Sequence, residues 1–192
     1  QHAAVVLQTD KDNRLKIIYT GRSLLAGNEY KDAAAAYHLS SEGAGSNSNA
    51  FTAAGTDNNF VEPAVAAVHA DGNNSLDLRY EKSTVTGTSD GATLTTVTLK
   101  DVVYPFYIDL FFKAWPKEDV IEQWSVIRHT EKGKVTLNKY ASANLYFFNK
   151  EYYLTSYNGS WAKEMQPEQT HLKQGMHIIQ SRLGTRENLH TS

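Results

Sequence analysis

The sequence predicts a mostly β protein built from stacked antiparallel sheets. Three observations carry that reading. β-Branched and aromatic residues dominate the apolar runs. Within those runs apolar and polar residues alternate at a period of two, whereas helical periodicity does not persist beyond a few turns. About ten such runs succeed one another with Gly, Asn, Asp and Pro between them, which is the layout of a sandwich and not of a barrel alternating strands with helices.

Taken in order, "AVVLQT" around Val5 and "RLKIIY" around Ile17 read as two strands separated by the turn-rich Asp10 to Asn13, a hairpin. From Glu29 to Asn59 the alternation stops. "YKDAAAAYHL" has the alanine content for about two helical turns, but the whole stretch, rich in Gly, Ser and Asn, reads as one long loop. After Pro63, "AVAAVHA" leads through Asp71-Gly72 into "SLDLRYEK", where Leu76, Leu78 and Tyr80 alternate with Asp77 and Arg79. This reads as a second hairpin. "TLTTVTLK" follows, then "FYIDLFFKAW" and "VIEQWSVIRHT" flanking a turn at Pro116 to Asp119, a meander. "KVTLNKYASANLYFF", "YYLTSYNG" and "HIIQSR" close the series. No internal repeat or linker divides the 192 residues, so one domain is expected.

Composition narrows the function. With 41% hydrophobic and 21% charged residues the chain is ordinary globular protein. A net charge of -2, with Lys and Arg scattered among as many acids, gives no basic field for nucleic acid. No segment approaches the roughly 20 apolar residues that cross a bilayer, so no membrane partner is expected. The absence of cysteine removes thiol nucleophiles, disulfides and thiolate metal sites. Localisation stays open. Gln1 without a preceding Met fits a processed N-terminus, which would favour a periplasmic or secreted protein, or an excised piece of a longer chain.

The common catalytic templates are missing: no G-x-S-x-G elbow, no H-E-x-x-H helix and no phosphate-cradling Gly loop. Of the seven histidines only His171 and His177 are close, at a spacing that would share a strand face, and no metal or other cofactor is expected. Glycoside cleavage needs two carboxylates at a defined separation. Asp109, Asp119 and Glu122 approach one another only if their strands pair. A sugar epimerase would instead need a His and a carboxylate converging as acid and base, for which His69, His129 and Glu122 are the available pieces. Aromatic rings are the other carbohydrate cue. Trp115 and Trp124 lie in strand-like runs and read as core, while Trp161 follows the Asn158-Gly159 turn signal amid Lys163 and Glu164 and is the better site candidate. Asn-x-Ser triplets at Asn73 and Asn158 carry little weight alone.

Four ordered motifs resemble the N-terminal domain of family 36 glycoside hydrolases, the α-galactosidases. They are "GTDNNFVEPAVAAVHADGNNSLDLRY", the long "YPFYIDLFFKAWPKEDVIEQWSVIRHTEKGKVTLNKYASANLYF", "NGSWAKEMQ" and "SRLGTRENLH". "DNRLKIIYTGRSL" is similar to the family's first strands, and Glu29 to Ala54 is the least matched part. The resemblance implies an antiparallel β-supersandwich of the galactose mutarotase-like kind, lacking its last strands if the family sandwich continues past Ser192. It implies a parent enzyme that removes terminal α-linked galactose with retention. It also implies a domain that helps build homo-oligomers and walls the active-site mouth. The family's catalytic aspartates lie in a TIM barrel that this sequence does not include, so no residue here inherits a catalytic role. Asp57, Asn58, Trp161 and Arg182 are the sugar-proximal candidates that the resemblance suggests, with turn-making and packing as the alternatives. An independent carbohydrate-binding module and an epimerase-like supersandwich remain the competing readings.

Overall fold

The computed structural model describes residues 3–38, 49–55, 62–145, 147, 151–160, 162–173 and 175–180. The chain forms two compact units, Gln1–Phe148 and Asn149–Ser192. It is mostly antiparallel β, with ten strands among the described residues.

In the first unit, β1 (Ala3–Thr9) and β2 (Leu15–Arg22) form the expected hairpin. Asp10 makes the turn. Its Oδ1 accepts the backbone N–H of Asp12 and of Arg14, each at 2.9 Å, and Asn13 takes the left-handed conformation at φ 56° that Asn tolerates.

The stretch expected to be a long loop contains a helix, α1 (Gly27–His38). Its start is a capping box with an unusual first residue. The Glu29 carboxylate reaches back to the N–H groups of Leu25 and Ala26 at 2.9 and 3.1 Å, satisfying donors that a helix start leaves open. Alanine at the capping position, where Ser, Thr, Asp or Asn is usual, hid that start from a sequence reading.

Four strands follow the expected meander: β4 (Leu78–Gly87), β5 (Thr93–Asp101), β6 (Phe106–Trp115) and β7 (Val120–His129), in the order β4-β5-β6-β7. β3 (Val65–Val68) pairs with β8 (Thr136–Tyr140). The second expected hairpin is therefore corrected. The turn forms, with the Gly72 N–H donating to His69 O at 3.0 Å and the His69 N–H to Asn73 O at 2.7 Å, but β3 and β4 do not pair. Ala54 comes between them. Its N–H donates to Val65 O and its O accepts the Leu76 N–H, both at 3.0 Å. A local alternation pattern cannot reveal a distant segment that takes over the hydrogen-bonding edge.

The alternation along β6 sets the core. Phe106, Ile108, Leu110 and Phe112 point inward and pack with Leu78, Val97 and Leu99 of the same sheet, and with Leu15, Ile17, Phe51, Val65 and Leu76. Each such side chain contributes about 1.5–3 kcal/mol by leaving water. The opposite face of the sheet carries Tyr107, Asp109, Phe111, Lys113 and Trp115 of β6, paired in register with Arg128, Val126, Trp124, Glu122 and Val120 of β7. Trp115 and Trp124 are thus not core residues as expected. They stand half-buried on this outer face, because the even-numbered positions of β6 had already taken the core.

In the second unit, β9 (Tyr152–Ser160) and β10 (Lys163–Leu172) form an antiparallel hairpin. Asn158 and Gly159, expected to form a turn, lie within β9, and the β9–β10 pairing begins at Ser160 and Lys163, with Ala162 at φ 60°. β10 carries Pro167 and polar or charged residues at most of its other positions, a pattern that conceals a strand and is tolerated where only one side of the strand is paired. The strand expected at "HIIQSR" is absent over its described residues 177–180, where Ile178 and Ile179 are exposed. His171 stacks on Tyr153 in the hairpin, with centroids 4.8 Å apart, while His177 is in no strand, so the two do not share a strand face.

Candidate functional site

One end of the four-stranded sheet gathers several connections of the first unit. Leu78 pairs with Asp101 and Phe106 with His129, so β4 and β6 begin where β5 and β7 end. The connections from β3 to β4 and from β7 to β8 reach the same end.

Asp101 organises it. This carboxylate, 2% exposed, accepts three backbone N–H groups: Oδ1 those of Val103 and Tyr104 at 2.8 Å each, and Oδ2 that of Asp77 at 2.7 Å. The bonds fix the β5–β6 loop and so place Tyr104, whose ring stacks on His69 at 3.6 Å between centroids and 10° between planes. The Tyr104 hydroxyl donates to Asp71 Oδ2 at 2.7 Å. That bond raises the Tyr104 phenol. The backbone N–H of Asn73 first, and then the Tyr104 hydroxyl, hold the Asp71 carboxyl below its ordinary value.

His69 has no exposed side-chain surface. Its Nδ1 lies 2.8 Å from Glu131 Oε1, and Glu131 Oε2 accepts the Ala70 N–H at 3.0 Å. Burial acts to raise the Glu131 carboxyl, but the bonds from Ala70 and His69 together outweigh it and the group sits below its ordinary value. A His–carboxylate pair is half of a proton-transfer apparatus. Here the other ring nitrogen, Nε2, is buried without a hydrogen-bond partner. The pair braces two loops against each other. Gly133 shows how close they come, since a Cβ there would stand 2.8 Å from the Ala70 Cβ.

The carboxylates considered for glycoside cleavage do not converge. Lys113 pairs with Glu122 and Asp109 with Val126, so Asp109 and Glu122 are four residues apart along the ladder. At the usual rise this is about 13 Å, beyond the roughly 5–9.5 Å that the reaction requires. Asp109 is also engaged, accepting from Arg128 Nε and from the Thr98 hydroxyl, both at 2.7 Å. Burial acts to raise its carboxyl, and these bonds hold it below the ordinary value. Asp119 lies in the β6–β7 turn and accepts the Ala3 N–H at 2.9 Å. The epimerase set fails likewise. Glu122 is on the outer face, His129 is seven residues along β7 on the opposite face, about 23 Å away by strand rise, and His69 is enclosed.

Asp57, Asn58, Trp161 and Arg182 lie outside the described residues. Gly55, two positions before Asp57, has φ 110°, and a Cβ there would stand 2.5 Å from the Ser75 Cα. Asp101, Tyr104 and Glu131 were not singled out from the sequence. His69 was, but in a role its burial denies.

A profile of the glycosyl hydrolase family 36 N-terminal domain matches residues 13–192. The chain belongs to this family. No curated protein matches the sequence significantly. Among solved structures, this family 36 N-terminal domain is similar to the α-galactosidase from Lactobacillus brevis, at 19% identity and a TM-score of 0.74 over 92% of the chain. It is similar to the galactosidase domain of an α-galactosidase–sucrose kinase, AgaSK, at 20% identity and 0.77 over 91%. A third is a variant of the family 36 α-galactosidase AgaA from Geobacillus stearothermophilus, in complex with raffinose, at 18% identity and 0.74 over 91%. These likenesses establish the fold, the mostly antiparallel β-sandwich of the family. The chain spans 27% of each of the three solved chains.

Proposed function

We propose that the chain is the non-catalytic N-terminal domain of a retaining α-galactosidase acting on terminal α-galactosides. Its partners in this reading are galactosides, the catalytic barrel of the same polypeptide and further copies in a homo-oligomer. It contributes to assembly and to the rim of the active site. The observation that carries the reading is the family match over residues 13–192. It is supported by the separation and engagement of the carboxylates Asp109, Asp119 and Glu122, which offer no acid–nucleophile pair.

The test compares the chain with its full-length parent on a nitrophenyl α-galactoside. The parent should release nitrophenol with retention of configuration, and the 192-residue chain should not at any attainable concentration. Turnover by the purified chain that disappears on Glu122→Gln would overturn the non-catalytic assignment. An inactive parent would overturn the α-galactosidase assignment.

A further inference from the structure

The outer face of the four-stranded sheet has no part in the loop-end brace, and its aromatic residues are arranged for contact. Phe111 and Trp124 are cross-strand partners whose rings stack, with centroids 5.0 Å apart and planes 2° apart. Among the described residues β7 is the last strand in the sheet order, and Phe111 backs one face of the half-buried Trp124 indole. The strip around it is open: Val126 is 45% exposed and Val120 52%. One pleat along β7, Glu122 is exposed, and its Oε2 accepts the Trp115 Nε1–H at 3.3 Å, leaving Oε1 to accept another donor.

The chemistry of the face selects the ligand. Beside Trp124, Arg128 is paired with Asp109 and Lys113 with Asp90, each at 2.7 Å, which leaves Glu122 as the polar group there to meet a ligand; Lys82 and Lys100 stand farther across the sheet, on β4 and β5. The ring of Tyr107 is flanked by Arg128 at 4.2 Å and Lys100 at 5.7 Å, and Lys113 lies over Trp115 at 4.1 Å, which leaves Trp124 as the available platform. A flat indole beside a carboxylate acceptor suits a neutral pyranose, which lays C–H groups on the ring and donates a hydroxyl to the acid. Galactose is the hexose that suits it best. Its axial 4-hydroxyl leaves the C3, C4 and C5 hydrogens on one side as a continuous apolar patch, which the equatorial hydroxyl of glucose breaks up.

We propose that Trp124, backed by Phe111 and flanked by Glu122, is a non-catalytic binding site for galactose-terminated oligosaccharides. The choice of galactose rests on the α-galactosidase reading above. The site would hold such an oligosaccharide against the domain's outer face.

The test is saturation-transfer NMR and tryptophan fluorescence on the 192-residue chain, titrated with stachyose and, in parallel, with maltotriose. Stachyose should bind, with transfer strongest at the galactose C3–C5 hydrogens, and maltotriose should bind far more weakly. Trp124→Ala should weaken stachyose by about tenfold or more, the loss of one good stacking contact. Trp124→Phe should retain most of the affinity. Glu122→Gln, at an exposed position, should weaken binding with the far-UV circular dichroism unchanged. Stachyose binding that survives both Trp124→Ala and Glu122→Gln would overturn the site, and equal affinity for maltotriose would overturn the ligand class. If no sugar binds, and light scattering shows self-association that Trp124→Ala abolishes, the face joins copies of the chain and the proposal is wrong. Activity of the full-length parent separates the two readings. An active parent whose N-terminal domain binds no stachyose refutes this site alone.

Discussion

His69 and Glu131, 62 positions apart in sequence, meet at 2.8 Å between Nδ1 and Oε1 inside the loop end of the sheet. The carboxylate also accepts the Ala70 N–H, so one side chain ties the β3–β4 connection to the β7–β8 connection. The folded state holds the Glu131 carboxyl below its ordinary value. Its contribution is therefore fully present above the unfolded carboxylate pKa and is lost as pH falls through the lower folded value. Glu131→Gln should accordingly be less stable than the native chain at pH 7, and the difference should shrink as pH falls below about 4. Urea titrations at pH 7, 5 and 3.5 measure this, and a constant difference would show that Glu131 acts through packing alone.

Asp101 is the more costly residue to replace. Three backbone N–H groups converge on a carboxylate that water hardly reaches. Asp101→Asn puts an amide NH2 where one of these donors points and removes the charge. A loss of about 2–4 kcal/mol is expected from unsatisfied buried donors. The Tyr104–His69 stack should loosen with it, which the ring-current shift of the His69 protons in NMR would report.

How much was legible in the sequence depended on range. The β6–β7 meander was readable because its alternation, Phe106, Ile108, Leu110 and Phe112 against Tyr107, Asp109, Phe111 and Lys113, is local and long enough to be unambiguous. The pairing of β3 with β8 was not, since Val65 and Tyr140 lie far apart in the chain and no local pattern encodes that register. Trp124 was misassigned because size suggests burial, while the strand period decides which face a residue occupies. Asp101 carries no sequence signature at all. A buried carboxylate and an exposed one look alike until the N–H groups that surround it are placed. The sugar-proximal candidates came from family resemblance and not from physical pattern.

Gly55 combines two constraints that Gly72 separates. Both have positive φ, 110° and 90°, but a Cβ at Gly55 would meet the Ser75 Cα at 2.5 Å, whereas nothing lies within 4 Å of one at Gly72. Gly72→Ala should cost only the conformational term, about 1–2 kcal/mol. Gly55→Ala should cost more, because backbone cannot yield as a flexible side chain can. Chemical denaturation of the two variants compares them directly, and equal losses would mean that the 54–55 segment shifts freely against Ser75.

The placement of Trp124 makes the sharpest stability test, because the two views of it differ in size of effect. A core tryptophan cut to alanine typically costs about 3–5 kcal/mol. Trp124 stands half-buried on β7, with its ring stacked on Phe111. Trp124→Ala should then cost about 1–2 kcal/mol, the stacking contact plus the area it covers. Ile108→Ala, on the adjacent strand but fully buried on the other face, should cost about 2–5 kcal/mol despite removing fewer atoms. Thermal melts of both variants in one buffer give the order. If Trp124→Ala proves the more damaging, the indole is packed beneath something, and the outer face is a second core surface instead of an open one.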